Sequence, residues 1–217
     1  MKGNAPLIAV FGSRGTGKSA FIKQYIASAQ PRRLVVFDPM HEYGALGVPL
    51  GSLRALYLAM KAAGARGPFA MIYQPPTEQR IEDQFNAVCR EVFAAGNVLF
   101  VAEELNKVTK PSWAPEHWKN ITSRGRHRHV TLIGASQRPA SVDKDYIGNA
   151  TVIRSGRLNF EDDQKTVARA LGVLYTDIRD LPDLAYIERD TNTRQITRGV
   201  LTFAPAPARA PRAARKK

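Results

Sequence analysis

The chain has 217 residues and a mass of 24.0 kDa, with 32 basic and 19 acidic side chains and a formal net charge of +13. A hydrophobic fraction of 44% is ordinary for a globular protein and excludes wholesale disorder. The single cysteine, Cys89, excludes an intramolecular disulfide framework, and no apolar run approaches the ~20 residues that span a bilayer. We therefore expect a soluble, basic protein without a transmembrane segment, in a reducing compartment.

The excess positive charge is concentrated in two parts of the chain. Residues 111–157 carry a net charge of +5, and residues 204–217 carry five basic and no acidic side chains. The alternating Ala and Pro of 204–217 predict a disordered basic tail, because proline lacks the backbone donor that helices and sheets use. We expect a folded domain over 1–203, followed by this tail. The tail either adds solubility only or neutralises nucleic-acid phosphates.

Short apolar runs alternate with segments of helical spacing along most of the chain. The predicted strands are 7–11, 34–37, 70–73, 98–101, 130–134 and, from weaker signals, 151–154, 185–189 and 195–203. The predicted helices are 18–28, 52–63, 78–94 and 162–171. The first five runs lack polar alternation, as do strands that are buried on both faces of a parallel sheet. The pattern predicts an α/β fold of three layers around a mainly parallel central sheet.

A glycine-rich loop follows the first predicted strand and is typical of nucleoside-triphosphate binding. Residues 12–19 match G-x-x-x-x-G-K-[ST], and a helical segment comes next. The loop N–H groups and the helix N-terminus favour phosphate, Lys18 is expected to reach the β- and γ-phosphates, and Ser19 is expected to ligate Mg²⁺. We therefore predict ATP and Mg²⁺ as ligands. The predicted nucleotide-binding residues are Gly12, Ser13, Arg14, Gly15, Thr16, Gly17, Lys18, Ser19 and Ala20.

A second strand ends in two carboxylates, since residues 97–104 read NVLFVAEE. Unpaired carboxylates at the end of a buried strand are costly, so they need a partner. We predict that Glu103 holds Mg²⁺ through water, so that Ser19 and Glu103 form the metal site, and that Glu104 orients the attacking water. Asp is the usual residue at the position of Glu103, and the division of roles between the two acids therefore stays open.

Two predicted strands, 34–37 and 70–73, come between the phosphate loop and the acidic strand in the chain. An extra strand between those two elements, together with a glutamate base, distinguishes additional-strand (RecA-type) P-loop ATPases from nucleotide kinases. A kinase also needs an arginine-bearing lid and an acceptor pocket, and the sequence identifies neither. ATP hydrolysis is therefore favoured over phosphotransfer to a small molecule.

Three arginines, Arg124, Arg126 and Arg128, precede the strand at 130–134, and Gln137 follows that strand. An amide at this place is well positioned to contact the γ-phosphate or the lytic water, and so to sense the triphosphate state. The arginine cluster is either a solvated basic loop or a functional element.

In order and spacing, GSRGTGKS, VVFDPMHEYG, VLFVAEE, the arginine cluster and GASQRPASVD resemble the FtsK–HerA superfamily of DNA-pumping ATPases, over residues 7–172. The resemblance implies a homo-oligomeric ring, with a hexamer favoured and a pentamer also geometrically allowed, that hydrolyses ATP between subunits and moves double-stranded DNA through its pore. It implies that Gln137 is the sensor and that one of the three arginines is a finger supplied in trans. The predicted catalytic residues are Glu104, Gln137, Arg124 and Arg126.

The segment after strand 34–37 contains Asp38, Glu42 and Tyr43, which resemble residues of the same superfamily. The resemblance implies that this strand lies at the edge of the sheet. Asp38 followed by a proline is also typical of a simple turn. The segment is therefore either a turn or part of a boundary with the nucleotide or a neighbouring subunit.

The chain resembles, among members of the superfamily, the genome-packaging ATPases of tailless, membrane-containing icosahedral phages. This resemblance implies a pump that drives DNA into a preformed capsid, in the host cytoplasm or attached to the virion at a packaging vertex, with capsid or membrane proteins as partners. The alternatives are a filamentous-phage assembly, secretion or conjugation-type ATPase, whose relatives carry a transmembrane segment, a small-molecule phosphotransferase, and a non-hydrolytic DNA-binding protein gated by nucleotide.

Overall fold

The computed structural model describes residues 5–203, and its strands form one nine-stranded sheet. The strands are β1 (Leu7–Phe11), β2 (Arg33–Phe37), β3 (Val48–Leu50), β4 (Phe69–Tyr73), β5 (Leu99–Ala102), β6 (Thr131–Ser136), β7 (Val152–Ser155), β8 (Ala185–Asp190) and β9 (Ile196–Val200). Their order across the sheet is β3-β4-β2-β5-β6-β1-β7-β8-β9. The first seven are parallel, and β8 and β9 are antiparallel to their neighbours. The predicted α/β fold with a mainly parallel sheet is confirmed, whereas the predicted tail at 204–217 lies outside the described residues.

Within the described residues, seven α-helices lie between these strands. They are α1 (Lys18–Ala29), α2 (Leu53–Ala63), α3 (Ile81–Ala95), α4 (Glu116–Arg124), α5 (Lys144–Asn149), α6 (Glu161–Leu171) and α7 (Tyr175–Arg179). Within residues 5–203, none of the helices combines the length and the apolar character that crossing a bilayer requires.

The two faces of the sheet are covered very unequally. One face packs against α2 to α7, and its core contains the fully buried rings of Phe85, Phe100 and Trp118. The other face packs against α1, through Ile22 and Ile26. Neighbouring residues of one strand point into different cores, and the strands therefore read as continuous apolar runs.

One expectation about strand order is wrong: β2 does not lie at the sheet edge but between β4 and β5, and the edge strands of the described sheet are β3 and β9. The expected additional strand between β1 and β5 is present, but it is β6 rather than β2 or β4. The physical reason is that a crossover helix carries the chain past positions that later strands fill, so chain order does not set lateral order. Here α1 leads from β1 to β2, and β6 and β5 fill the space between them.

Candidate active site

The predicted site residues converge at one edge of the sheet. The phosphate loop follows β1, the acidic pair follows β5 and Gln137 follows β6, and these three strands are parallel neighbours. Their carboxyl ends therefore meet, where open α/β sheets bind ligands. A cleft of about 260 Å³ lies there. The predicted residues that line it are Arg14, Gly15, Gly17, Lys18, Ser19, Ala20, Glu103, Glu104 and Gln137.

Lys18 spans the phosphate loop from its position at the start of α1. Its Nζ donates to the backbone oxygens of Gly12, at 2.7 Å, and Ser13, at 3.1 Å. The hydroxyl of Thr16 also donates to the Ser13 carbonyl, at 2.8 Å, and closes the loop from the inside. Burial lowers the pKa of Lys18, while the nearby carboxylates of Glu103 and others act in the opposite direction.

Gly17 sets the entry of the chain into α1. Its φ of 92° is left-handed, and a Cβ at this position would lie 2.8 Å from Cδ2 of Leu201. Only glycine fits both conditions without strain. Among the described residues no side chain caps the N-terminus of α1, which leaves its first N–H groups available to an anion, as in helix-end anion sites.

Asp38 organises the segment that follows β2. Its buried carboxylate accepts hydrogen bonds from the backbone N–H of Glu42, at 2.9 Å, and of Tyr43, at 3.0 Å. The turn places both residues in the cleft lining. Residues 38–43 are therefore a turn and part of the cleft at the same time. The sequence signal for this arrangement is the spacing Asp-x₃-Glu-Tyr, which lets one carboxylate cap two successive N–H groups.

Glu103 is held by a buried partner that the sequence did not reveal. The hydroxyl of Tyr43 donates to Glu103 Oε1. Burial raises the pKa of Glu103 to about 7, although the Tyr43 hydrogen bond and the Lys18 charge act against this shift. Burial also raises the pKa of Tyr43. Ser19, which is expected to share the metal site with Glu103, donates to Oε2 of Glu42 at 2.6 Å.

The structure brings Glu104 and Gln137 into direct contact. Gln137 Nε2 donates to Glu104 Oε1 at 2.7 Å, because the two residues follow adjacent strands. Glu104 has φ 55° and ψ 47°, a left-handed conformation that is uncommon outside glycine. Such conformations cluster at functional sites, where the surrounding structure imposes them.

The predicted arginine candidates do not lie in this cleft. Arg124 ends α4 and Arg126 lies in the following turn, both exposed and before the amino end of β6. At about 3.3 Å per residue, the six residues of β6 separate this turn from the cleft edge by about 20 Å. Arg128 donates to the carbonyls of Phe93, at 3.2 Å, and Ala94, at 2.7 Å, and so caps the end of α3. The arginines of this turn do not reach the cleft of their own chain.

The oxygen atoms at the cleft fit a magnesium ion. Within residues 5–203, no group of three or more His, Cys, Asp or Glu side chains is arranged to hold a metal alone. Mg²⁺ usually takes only one or two carboxylates, with water and substrate phosphates completing its shell. The Ser19 hydroxyl and the carboxylates of Glu42 and Glu103 are hard oxygen donors that suit this ion.

The strand order, the loop and the cleft define the fold of a P-loop NTPase. Solved structures of similar fold include the genome-packaging NTPase B204 of Sulfolobus turreted icosahedral virus 2 in complex with AMPPCP, with a TM-score of 0.74 and 15% identity over 93% of this chain and 100% of that chain. The bacterial conjugative coupling protein TrwBdeltaN70 matches with a TM-score of 0.66 and 11% identity, over 96% of this chain and 88% of that chain in its sulphate-bound form.

In sequence, the chain is 27% identical to protein P9 of Pseudoalteromonas phage PM2 in an alignment of 203 residues, which covers 89% of this chain and 89% of that protein. No protein-family profile matches the chain. The resemblance stated from the motifs is confirmed by these relatives, of which B204 is itself a genome-packaging NTPase.

Proposed function

We propose that this chain is an ATP-hydrolysing translocase of double-stranded DNA, of the kind that packages a viral genome into a preformed capsid. The observation that carries the proposal is the hydrogen bond of 2.7 Å between Gln137 and Glu104, beside the phosphate loop. In this pair, a carboxylate that can accept a proton from water lies next to an amide that can donate a hydrogen bond. This arrangement suits hydrolysis, in which water is the nucleophile.

The loop from Gly12 to Ala20 binds the phosphates of ATP. Backbone N–H groups of the loop and of the first turn of α1 surround the phosphate oxygens, and Lys18 exchanges its two carbonyl partners for the β- and γ-phosphates. Ser19 and, through water, Glu103 hold Mg²⁺. When bound, Mg²⁺ neutralises negative charge that develops on the phosphates.

Glu104 and Gln137 act on the attacking water. Glu104 accepts its proton, and Gln137 donates to the γ-phosphate or to the water. Loss of the γ-phosphate removes a partner of Gln137. The next residue in the chain, Arg138, forms an ion pair with the buried Asp163 of α6, with 2.7 Å between Nε and Oδ2. The carboxylate of Asp163 also accepts a hydrogen bond from the backbone N–H of Ala140, at 2.9 Å. The state of the nucleotide is thereby connected to the helical layer.

A ring of identical subunits completes the site. Arg124 or Arg126 reaches the cleft of the neighbouring copy and stabilises the charge of the transition state, a contribution on the order of 10³–10⁵ in rate for arginine fingers. We favour a hexamer, and a pentamer satisfies the same geometry. The DNA is gripped through its phosphates, which suits a chain of net charge +13 and makes binding largely independent of sequence.

The site of action follows from this function. A packaging motor works in the host cytoplasm or attached to the virion at a packaging vertex, where capsid or membrane proteins are its partners. The second candidate is a conjugation-type or filamentous-phage assembly ATPase, favoured by the fold similarity to a conjugative coupling protein at a TM-score of 0.66. Both candidates share the chemistry above and differ in the structure to which the ring attaches.

The test is the rate of ATP hydrolysis with and without long double-stranded DNA. We expect a several-fold increase with DNA, and a loss of this increase at high salt, because phosphate contacts are screened. Heparin serves as the polyanion control, and Lys18→Ala provides the background rate. Equal rates with and without DNA, or equal stimulation by heparin, would contradict the translocase.

A further inference from the structure

The hydroxyl proton of Ser19 points to a carboxylate outside the acidic strand. Ser19 Oγ donates to Glu42 Oε2 at 2.6 Å, a short charge-assisted hydrogen bond. A serine hydroxyl has one proton and two lone pairs. The residue that takes the proton therefore decides where the lone pairs point, and so whether the oxygen is ready to ligate a cation.

The two carboxylates of the acidic strand have other partners. Glu103 is 5% exposed, and its Oε1 accepts the hydroxyl proton of Tyr43, which is fully buried. Glu104 accepts the amide of Gln137 on the side of β6. Four carboxylates line the cleft, Asp38, Glu42, Glu103 and Glu104, and Glu42 is the one in contact with the Ser19 hydroxyl.

The backbone that carries Glu42 is fixed by hydrogen bonds. Asp38 is fully buried, and it accepts the N–H of Glu42, the N–H of Tyr43 and, at 3.3 Å, the side-chain amide of Gln74. His41 takes a left-handed φ of 59°, which turns the chain back toward the phosphate loop. A side chain held on such a turn is suited to orient a second residue.

We propose that Glu42 is the positioning residue for the magnesium ligand Ser19. Glu42 accepts the hydroxyl proton of Ser19, which leaves the lone pairs of Ser19 free and makes the oxygen a better donor to the divalent cation of the nucleotide. Glu103 remains the carboxylate that holds the ion through water. This inference rests on the proposed binding of ATP with Mg²⁺.

The test compares binding of a non-hydrolysable ATP analogue to wild-type protein and to Glu42→Ala, across a range of Mg²⁺ concentrations and in EDTA. We expect Glu42→Ala to raise the Mg²⁺ concentration for half-maximal effect by about 10–100-fold, the usual loss when an outer partner of a metal ligand is removed. Binding in EDTA should be unchanged, because the phosphate contacts of Lys18 and the loop do not involve Glu42. Mn²⁺ electron paramagnetic resonance, which counts bound metal, should show the same loss.

Two further variants test whether the effect depends on an acceptor at this position and whether it is specific to this carboxylate. Glu42→Asp keeps the acceptor and should recover part of the metal affinity, whereas Glu78→Ala removes an exposed carboxylate outside the cleft lining and should match wild type. An unchanged Mg²⁺ dependence in Glu42→Ala would overturn the proposal, as would an equal loss of binding in EDTA, which would indicate a structural role. Wild-type protein that binds no nucleotide would instead contradict the proposed function itself.

Discussion

At the residue scale, the two acids that follow β5 have different surroundings and different hydrogen-bond partners. Glu103 points into a buried pocket, where the Tyr43 hydroxyl holds it and burial raises its pKa to about 7. Glu104 turns away through a left-handed backbone and meets Gln137. The sequence left the roles of these two acids open. Their environments support our proposal that Glu104 is the base, because Glu104 is the one that contacts the amide of Gln137.

Glu104→Gln separates binding from chemistry. The substitution keeps the size of the side chain and removes the proton acceptor, so we expect ATP affinity to stay within about threefold and hydrolysis to fall by about 10²–10⁴-fold, as is usual for a general base. Equilibrium binding and steady-state hydrolysis measure the two effects. Glu116→Gln, an exposed glutamate on α4, is the matched control. Normal turnover by Glu104→Gln would show that another group activates the water.

At the scale of elements, the sequence predicts those strands and helices that have a clear hydrophobic pattern of their own. The bounds of β1 are those of its apolar run, between Pro6 and the first glycine of the loop. α4 was missed because its segment is strongly polar, although its Trp118 is fully buried, and β3 was missed because it has only three residues. The order of the strands across the sheet was not predicted, because crossover connections allow strands that are distant in the chain to become neighbours.

The same limit applies to the candidate site. The phosphate loop, Glu104 and Gln137 lie where the sequence predicts, since each directly follows a strand that the apolar pattern reveals. The contact between Ser19 and Glu42 joins residues 23 positions apart. A contact of this kind depends on how two loops pack, and it leaves no periodic signal in the sequence.

Gly134 of β6 allows a buried link between two central strands. The hydroxyl of Tyr146 lies within hydrogen-bonding distance of the carbonyls of Ile8 in β1, at 2.9 Å, and Gly134, at 2.8 Å. A Cβ on Gly134 would lie 2.7 Å from Leu105 Cδ1 and from the Tyr146 ring. A glycine is therefore needed at this position so that Tyr146 can pack against both β1 and β6.

Gly134→Ala should destabilise the fold through this overpacking, by about 1–3 kcal/mol. Urea unfolding followed by circular dichroism measures the change. Gly148→Ala is the matched control, since a Cβ at this exposed helical position meets nothing within 4 Å, and we expect it to be neutral or slightly stabilising. Equal stability of both variants would show that β6 shifts to accommodate the methyl group.

At the scale of the whole molecule, the nucleotide cleft and the candidate arginines lie at opposite edges of one sheet. The cleft is at the carboxyl ends of the parallel strands, and Arg124 and Arg126 precede the amino end of β6. The contact that we propose between these surfaces is head-to-tail, and repeated head-to-tail contacts form a ring when their rotation closes. In this proposal, part of the net charge of +13 serves catalysis between subunits rather than DNA binding.

We propose that ATP hydrolysis at this cleft moves the protein along double-stranded DNA. Displacement of a fluorescent third strand from a linear duplex measures this movement directly. We predict displacement only with ATP, no displacement with Glu104→Gln, and a lag that lengthens in proportion to the distance from the duplex end to the triplex. Hydrolysis stimulated by DNA without displacement of the third strand, or a lag independent of distance, would contradict the account.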